Sequence, residues 1–242
     1  AGAYFLVLEP VKTIANVVID VAFPTFARLR NDRPALVEQF IKFTRLNLIA
    51  VLPFVVLIAL ILPEFLRVFY VGDKWYDTDV PYVVHAAHIL CLVGVLRAVG
   101  FIGPPLLDGI GHPERTLRYM IVAAFVVPGM FLLSANVLGD HINFLSVAVG
   151  WAVGYPLAFA VLSFLVIKAI DLPLRTYLHA AWGIIGCCLG GFVAGLATKY
   201  ALADASDKLR LGVVSAVSFG VILALLAFWQ KITPRSIAAS MK

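Results

Sequence analysis

Apolar residues in this chain come in long, unbroken runs. A strand would alternate apolar and polar positions, and a soluble amphipathic helix would show one apolar stripe. A helix needs about 20 mostly apolar residues to cross a bilayer. Seven stretches reach or approach that length: 4–26, 46–70, 82–107, 119–138, 144–167, 178–201 and 211–229. The first is interrupted by Glu9, Lys12 and Asp20. Unbroken apolar runs of this length exclude a transmembrane barrel, whose strands alternate. They leave the helix as the form that satisfies every backbone group within the segment. The pattern predicts an all-α, polytopic transmembrane bundle of about seven spanning helices.

The polar gaps orient the runs. Arg28, Arg30, Arg33, Lys42 and Arg45 follow the first run. If that run passes from outside to inside, the same side also holds Arg115, Arg118, Lys168, Arg175, Lys231, Arg235 and Lys242. That makes twelve bases, against five on the other side: Arg67, Lys74, Lys199, Lys208 and Arg210. Lys and Arg concentrate in cytoplasmic loops, so the arginine block and the C-terminus are expected in the cytoplasm. Within the first gap, Pro34 suits a first helical turn, with Arg33 or Asp32 near the cap. Leu36, Val37, Phe40, Ile41 and Phe43 recur at helical spacing. The expectation is a short amphipathic helix lying at the interface.

Composition narrows the class. The chain is 62% hydrophobic and 14% charged, whereas a soluble domain is about a quarter charged. The net charge of +5 is spread over short gaps. A nucleic-acid binder would gather it on a soluble face, so no nucleic-acid partner is expected. Cys91, Cys187 and Cys188 fall inside apolar runs without metal-ligand or C-x-x-C spacing and read as packing residues. The opening AGAYFLVLEP has no Met, basic n-region or small-residue cleavage site. It is not a signal peptide, and the chain reads as a piece of something longer.

Two loops invite chemistry. VGDKWYDTDV carries Asp73, Asp77 and Asp79 but lacks the glycine and terminal Glu of an EF-hand. It reads as a solvated loop with interfacial Trp75 and Tyr76. DGIGHPERTLR has no preceding strand and no Lys-Ser/Thr, so it is not a phosphate cradle. Gly109 and Gly111 can end one helix there, and Pro113 can begin the next. No metal or cofactor is called for by either.

Ionisable residues inside the apolar runs are functional candidates by default. Glu9 and Lys12 share a helical face and can pair; with Asn16 and Asp20 they form one polar stripe down the first run. Such a stripe must face protein or water. Arg97 lies deep in the third run and stays charged at any relevant pH. Its partner is either a buried acid such as Asp20 or an anionic ligand, whose oxygens suit a planar guanidinium. His85 and His88 could titrate or bind metal, but no third ligand is evident. Pro53, Pro128 and Pro156 should kink their spans. Gly183, Gly186, Gly190, Gly191 and Gly195 should allow close helix contact in the sixth.

Three segments resemble one family. FPTFARLRND is similar to the FP-x-x-S/A-R-L segment of polysaccharide-export flippases, FYVGDKW to the family's F-x-G-x-x-W stretch, and LLDGIGHPERTLR to its L-x-A-x-G-R-P loop. Asp108 stands where the family often has a small residue. The order and gaps agree over residues 1–119, which resembles the Wzx-like O-antigen and exopolysaccharide flippases of the MOP superfamily. That resemblance implies two pseudo-symmetric bundles around a cavity in the bacterial inner membrane. It implies alternating-access export of an undecaprenyl-pyrophosphate-linked oligosaccharide, with a polysaccharide polymerase as a further partner. Residues 1–168 would be the second bundle without its first helix, dependent on an N-terminal bundle of the same protein. Residues 169–242 would add two helices and a short cytoplasmic tail. On charge placement, Arg97 and Lys12 would bind substrate, and Asp20 and Glu9 would couple ions.

Two rivals remain. A MATE-like cation exporter shares the fold and would want an acidic cavity; two acids and two bases do not decide it. A membrane glycosyltransferase or ligase would use an Asp-x-Asp, which Asp77–Asp79 matches formally. No catalytic constellation accompanies it, so no enzyme activity is expected.

Overall fold

The computed structural model describes residues 2–69, 76–142 and 145–229, and among them every regular element is a helix. In chain order these are α1 (Gly2–Arg28), α2 (Arg33–Phe69), α3 (Tyr76–Gly100), α4 (Gly103–Gly109), α5 (Pro113–Ile142), α6 (Leu145–Ile170), α7 (Leu174–Ala201) and α8 (Asp207–Trp229). Among the described residues, six helical stretches are long and apolar enough to cross a membrane: α2, α3 together with α4, and α5 to α8. The expected first span, α1, is helical over 27 residues but is not among the six. The loop acid Asp73 and the tail bases Lys231, Arg235 and Lys242 lie outside the described residues, as do the side chains of Asp77 and Asp79.

The central element is α2. It packs on α1 and α3 on one side and on α7 and α8 on the other. At 37 residues it is roughly 55 Å long at 1.5 Å per residue, well beyond the hydrocarbon thickness. The expected interfacial helix is therefore not separate: its residues are the first turns of α2. No breaker stands between Arg45 and Leu46, so the helix continues. Leu36, Phe40 and Phe43 join a buried cluster with Phe26, Leu106, Leu162 and Val166. The Asp32 side chain accepts the N–H of Ala35 at 3.2 Å and caps the start.

Prolines shape the interior at two places. Pro104 and Pro105 have no N–H to continue the α3 ladder, so the expected single third span breaks at Phe101–Ile102. At that break Asn47 Nδ2 donates to the Ala98 carbonyl, joining α2 to α3. Pro63 likewise cannot donate to the carbonyl four residues back, at Ala59. His88 Nε2 lies 2.8 Å from that oxygen. A carbonyl only accepts, so the proton sits on Nε2. An unpaired carbonyl in hydrocarbon is costly. His88→Leu is expected to lower stability by about 1–3 kcal/mol, and His88→Gln, which keeps a donor, by less. Thermal unfolding in detergent checks this; a Leu variant as stable as the parent would remove the role.

Small residues set the helix spacings. A Cβ on Gly150 would stand 2.7 Å from Phe131 and 3.1 Å from the Met130 carbonyl. Gly154, one turn on, meets Val127 Cα at 3.2 Å. That register holds α5 against α6. Of the sixth-run glycines, Gly191 and Gly195 admit α8 and α2, while Gly186 has nothing near it. Cys187 and Cys188 are buried with Leu48, Leu52 and Ile222, as packing residues.

Candidate functional site

The buried face of α1 carries Val7, Leu8, Val11, Ala15, Ala22 and Phe26. Their spacings of three, four and seven mark one helical face. The polar stripe occupies the other face. Lys12, Asn16 and Asp20 are exposed, and Lys12 Nζ lies 3.4 Å from Glu9 Oε1 with both side chains nearly half exposed. Val17 and Phe23 share this open side. The stripe therefore faces away from α2 and α3.

Arg97 lies elsewhere. Its guanidinium sits over three aromatic rings, 5.4 Å from Phe101, 5.6 Å from Trp151 and 5.9 Å from Tyr155. α3 supplies the arginine and α6 two of the rings. Tyr119 of α5 hydrogen-bonds Tyr155 beside it. Arg97 Nη1 is buried without a hydrogen-bond partner among the described residues. Asp20 forms no ion pair with it among those residues, so the acid partner offered from sequence is not Asp20. Ring faces offset the charge partly and accept no N–H in the plane of the guanidinium. The site can thus still hold an oxyanion on that edge. Lys12 and Arg97 are not joined by any hydrogen bond or ion pair among the described residues.

Asp20 instead lines a small open cavity of about 400 Å³ with Phe23, Pro104, Pro105 and Asp108. The approach of α4 that creates it depends on Gly109. A Cβ there would stand 2.9 Å from Phe26 Cβ and 3.2 Å from the Ala27 nitrogen. Gly109 thus lets two backbones touch, and the turn itself belongs to Gly111, with φ +85°. Asp108, which the sequence marks only as a departure from a family pattern, becomes the second carboxylate facing that cavity.

Sequence reasoning missed a buried ionic cluster. Glu64 is 2% exposed. Its Oε2 lies 2.9 Å from Lys199 Nζ and its Oε1 3.6 Å from Arg210 Nη1. Lys199 also donates to the Leu60 carbonyl at 2.7 Å. The available signal was an acid inside the second apolar run, but Arg67, three residues on, offered a local partner that masked it. Arg67 pairs with Asp207 at 3.4 Å instead. Three His, Cys, Asp or Glu side chains able to hold a metal do not come together among the described residues, and His88 is used structurally.

Residues 1–79 match a family model described as "Polysaccharide biosynthesis protein". The chain is 25% identical over 237 residues to the teichuronic acid biosynthesis protein TuaB of Bacillus subtilis, covering 94% of this chain and 46% of that protein. It is 24% identical over 152 residues to the lipopolysaccharide biosynthesis protein WzxC of Escherichia coli, covering 61% of this chain and 29% of that protein. The chain thus spans less than half the length of either relative. No solved structure matches. These matches bear out the resemblance carried by the motifs: the chain is a helical protein with six described stretches long and apolar enough to cross a membrane, and it is similar to polysaccharide biosynthesis proteins of the Wzx-like kind.

Proposed function

We propose that this protein helps flip an undecaprenyl-pyrophosphate-linked oligosaccharide from the cytoplasmic to the outer leaflet of a bacterial inner membrane. The observation that carries the reading is the polar face of α1, left open on a bundle whose relatives serve polysaccharide biosynthesis. Lipid does not cover a face of Glu9, Lys12, Asn16 and Asp20. In this reading it borders a water-filled path shared with a further bundle, and residues 1–168 act as one half of a two-bundle transporter. Residues 169–242 add two helices and a cytoplasmic tail, and a polysaccharide polymerase receives the product. Arg97 and Lys12 attract the pyrophosphate or acidic sugars, with Arg97 preorganised by its three rings. Asp20, Glu9 and now Asp108 are the ion-coupling acids. The protein acts as a transporter and not as an enzyme.

The paired carboxylates at Asp20 and Asp108 keep one alternative in view, a MATE-like cation exporter. One assay separates the two. The purified protein, with the N-terminal bundle of this reading present, is placed in liposomes loaded with a fluorescent lipid-linked oligosaccharide, and outer-leaflet label is read with an impermeant quencher. Protein-dependent transfer is expected. A rate equal to that of protein-free vesicles would sink the flipping reading, and extrusion of an organic cation under an ion gradient would install the alternative.

A further inference from the structure

A cleft of about 940 Å³ opens between the first turns of α2, the start of α7 and the end of α8. Its lining includes Glu38, Arg45, Arg175, His179, Trp182 and Trp229. It lies apart from the α1 stripe and from the Arg97 cage, and the flipping reading makes no use of it. The positive-inside count puts this end of all three helices on the cytoplasmic side.

Its chemistry is specific. Two guanidiniums come from two different helices, and one carboxylate faces them. Two indoles stand in the same wall, both well exposed. Exposed Trp at the end of a spanning helix belongs in the headgroup layer. Above the cleft, the outward residues of α7 and α8 include Leu189, Val193 and Leu223, all exposed and apolar. Those surfaces face acyl chains. The cleft therefore opens sideways into the inner-leaflet headgroups, where basic pockets between spanning helices hold anionic lipids.

We propose that this cleft binds the headgroup of an anionic phospholipid, its phosphodiester held by Arg45 and Arg175 and its glycerol region against Trp182 and Trp229. Occupancy would tie α7 to the inner end of α2. The proposal stands whether or not the flipping reading does.

The test counts bound lipid by native mass spectrometry on the protein in neutral detergent, with equimolar phosphatidylglycerol and phosphatidylcholine. The expected result is retention of phosphatidylglycerol over phosphatidylcholine by about fivefold per arginine, lost in Arg45→Gln/Arg175→Gln. Arg28→Gln/Arg30→Gln removes two exposed charges at the same membrane face and should keep the preference. Equal retention of both lipids by the parent protein overturns the proposal. So does preference surviving in Arg45→Gln/Arg175→Gln, or lost equally in the control. Displacement of the lipid by millimolar inorganic phosphate would make this a free-anion site, and displacement by substoichiometric undecaprenyl phosphate a substrate site; either overturns the phospholipid assignment.

Discussion

Arg97→Gln is expected to lower surface-polysaccharide export by about 10- to 100-fold while the protein still reaches the membrane. The fold-range corresponds to losing one hydrogen bond to a charged group, worth about 1.5–3 kcal/mol. The cation sits over Phe101, Trp151 and Tyr155 at 5.4 to 5.9 Å, which fixes its plane before any ligand arrives. Nη1 has no partner among the described residues, so the edge that would meet an oxyanion is already desolvated. Gln keeps the polarity and much of the length but removes the charge. Arg97→Lys keeps the charge and loses the planar fork, and should fall between the two. The readout is complementation in a host lacking its own flippase, with membrane levels measured alongside. Full export by the Gln variant at normal abundance would end the substrate-binding assignment.

Glu64→Leu is expected to cost about 3–5 kcal/mol of stability, the usual result of stranding a buried partner. Glu64 is the only acid in contact with Lys199 and Arg210 among the described residues. Lys199 is three-quarters buried and Arg210 more so. Without the carboxylate the two cations repel each other at low dielectric. Arg210 keeps two hydrogen bonds to the Leu202 carbonyl, at 3.1 and 3.0 Å, so Lys199 is the group left worst off. Glu64→Leu/Lys199→Met should therefore recover at least half of the loss. The cluster joins α2 to α7 and α8, so the damage should appear as early unfolding of the C-terminal helices. Proteolysis of the detergent-solubilised protein under a temperature ramp reads this directly. Equal stability of the single variant and the parent would show the cluster to be solvated. The outlying Arg67–Asp207 pair, half exposed at 3.4 Å, should contribute little.

Several features were legible from the chain alone. The apolar runs at 144–167, 178–201 and 211–229 became helices close to those positions, because a span must satisfy its own backbone groups. The stripe on α1 was legible for the same reason: offsets of three, four and four residues put Glu9, Lys12, Asn16 and Asp20 on one face whatever surrounds them. The packing role of Cys187 and Cys188 followed from their apolar neighbours. Where the reading went astray, a local signal was ambiguous. Residues 31–45 carry the amphipathic pattern of an interfacial helix, yet the same pattern serves a helix end that docks on Phe26 and Leu162. Periodicity does not say what covers an apolar face.

The sequence by itself determined that this is a helical membrane protein, roughly where its spans begin and end, and which family its motifs resemble. Each of these is set by residues near one another along the chain. Only the tertiary structure decided the partners. It put Arg97 among Phe101 and two rings of α6 and away from Asp20, and gave Asp20 the company of Asp108. It handed the Ala59 carbonyl to His88 and brought Glu64 to Lys199 and Arg210, more than a hundred residues further along the chain. In a bilayer no hydrophobic gain selects among helix faces, so close packing and the need to pair every polar group make that choice, and those depend on residues that no local window contains.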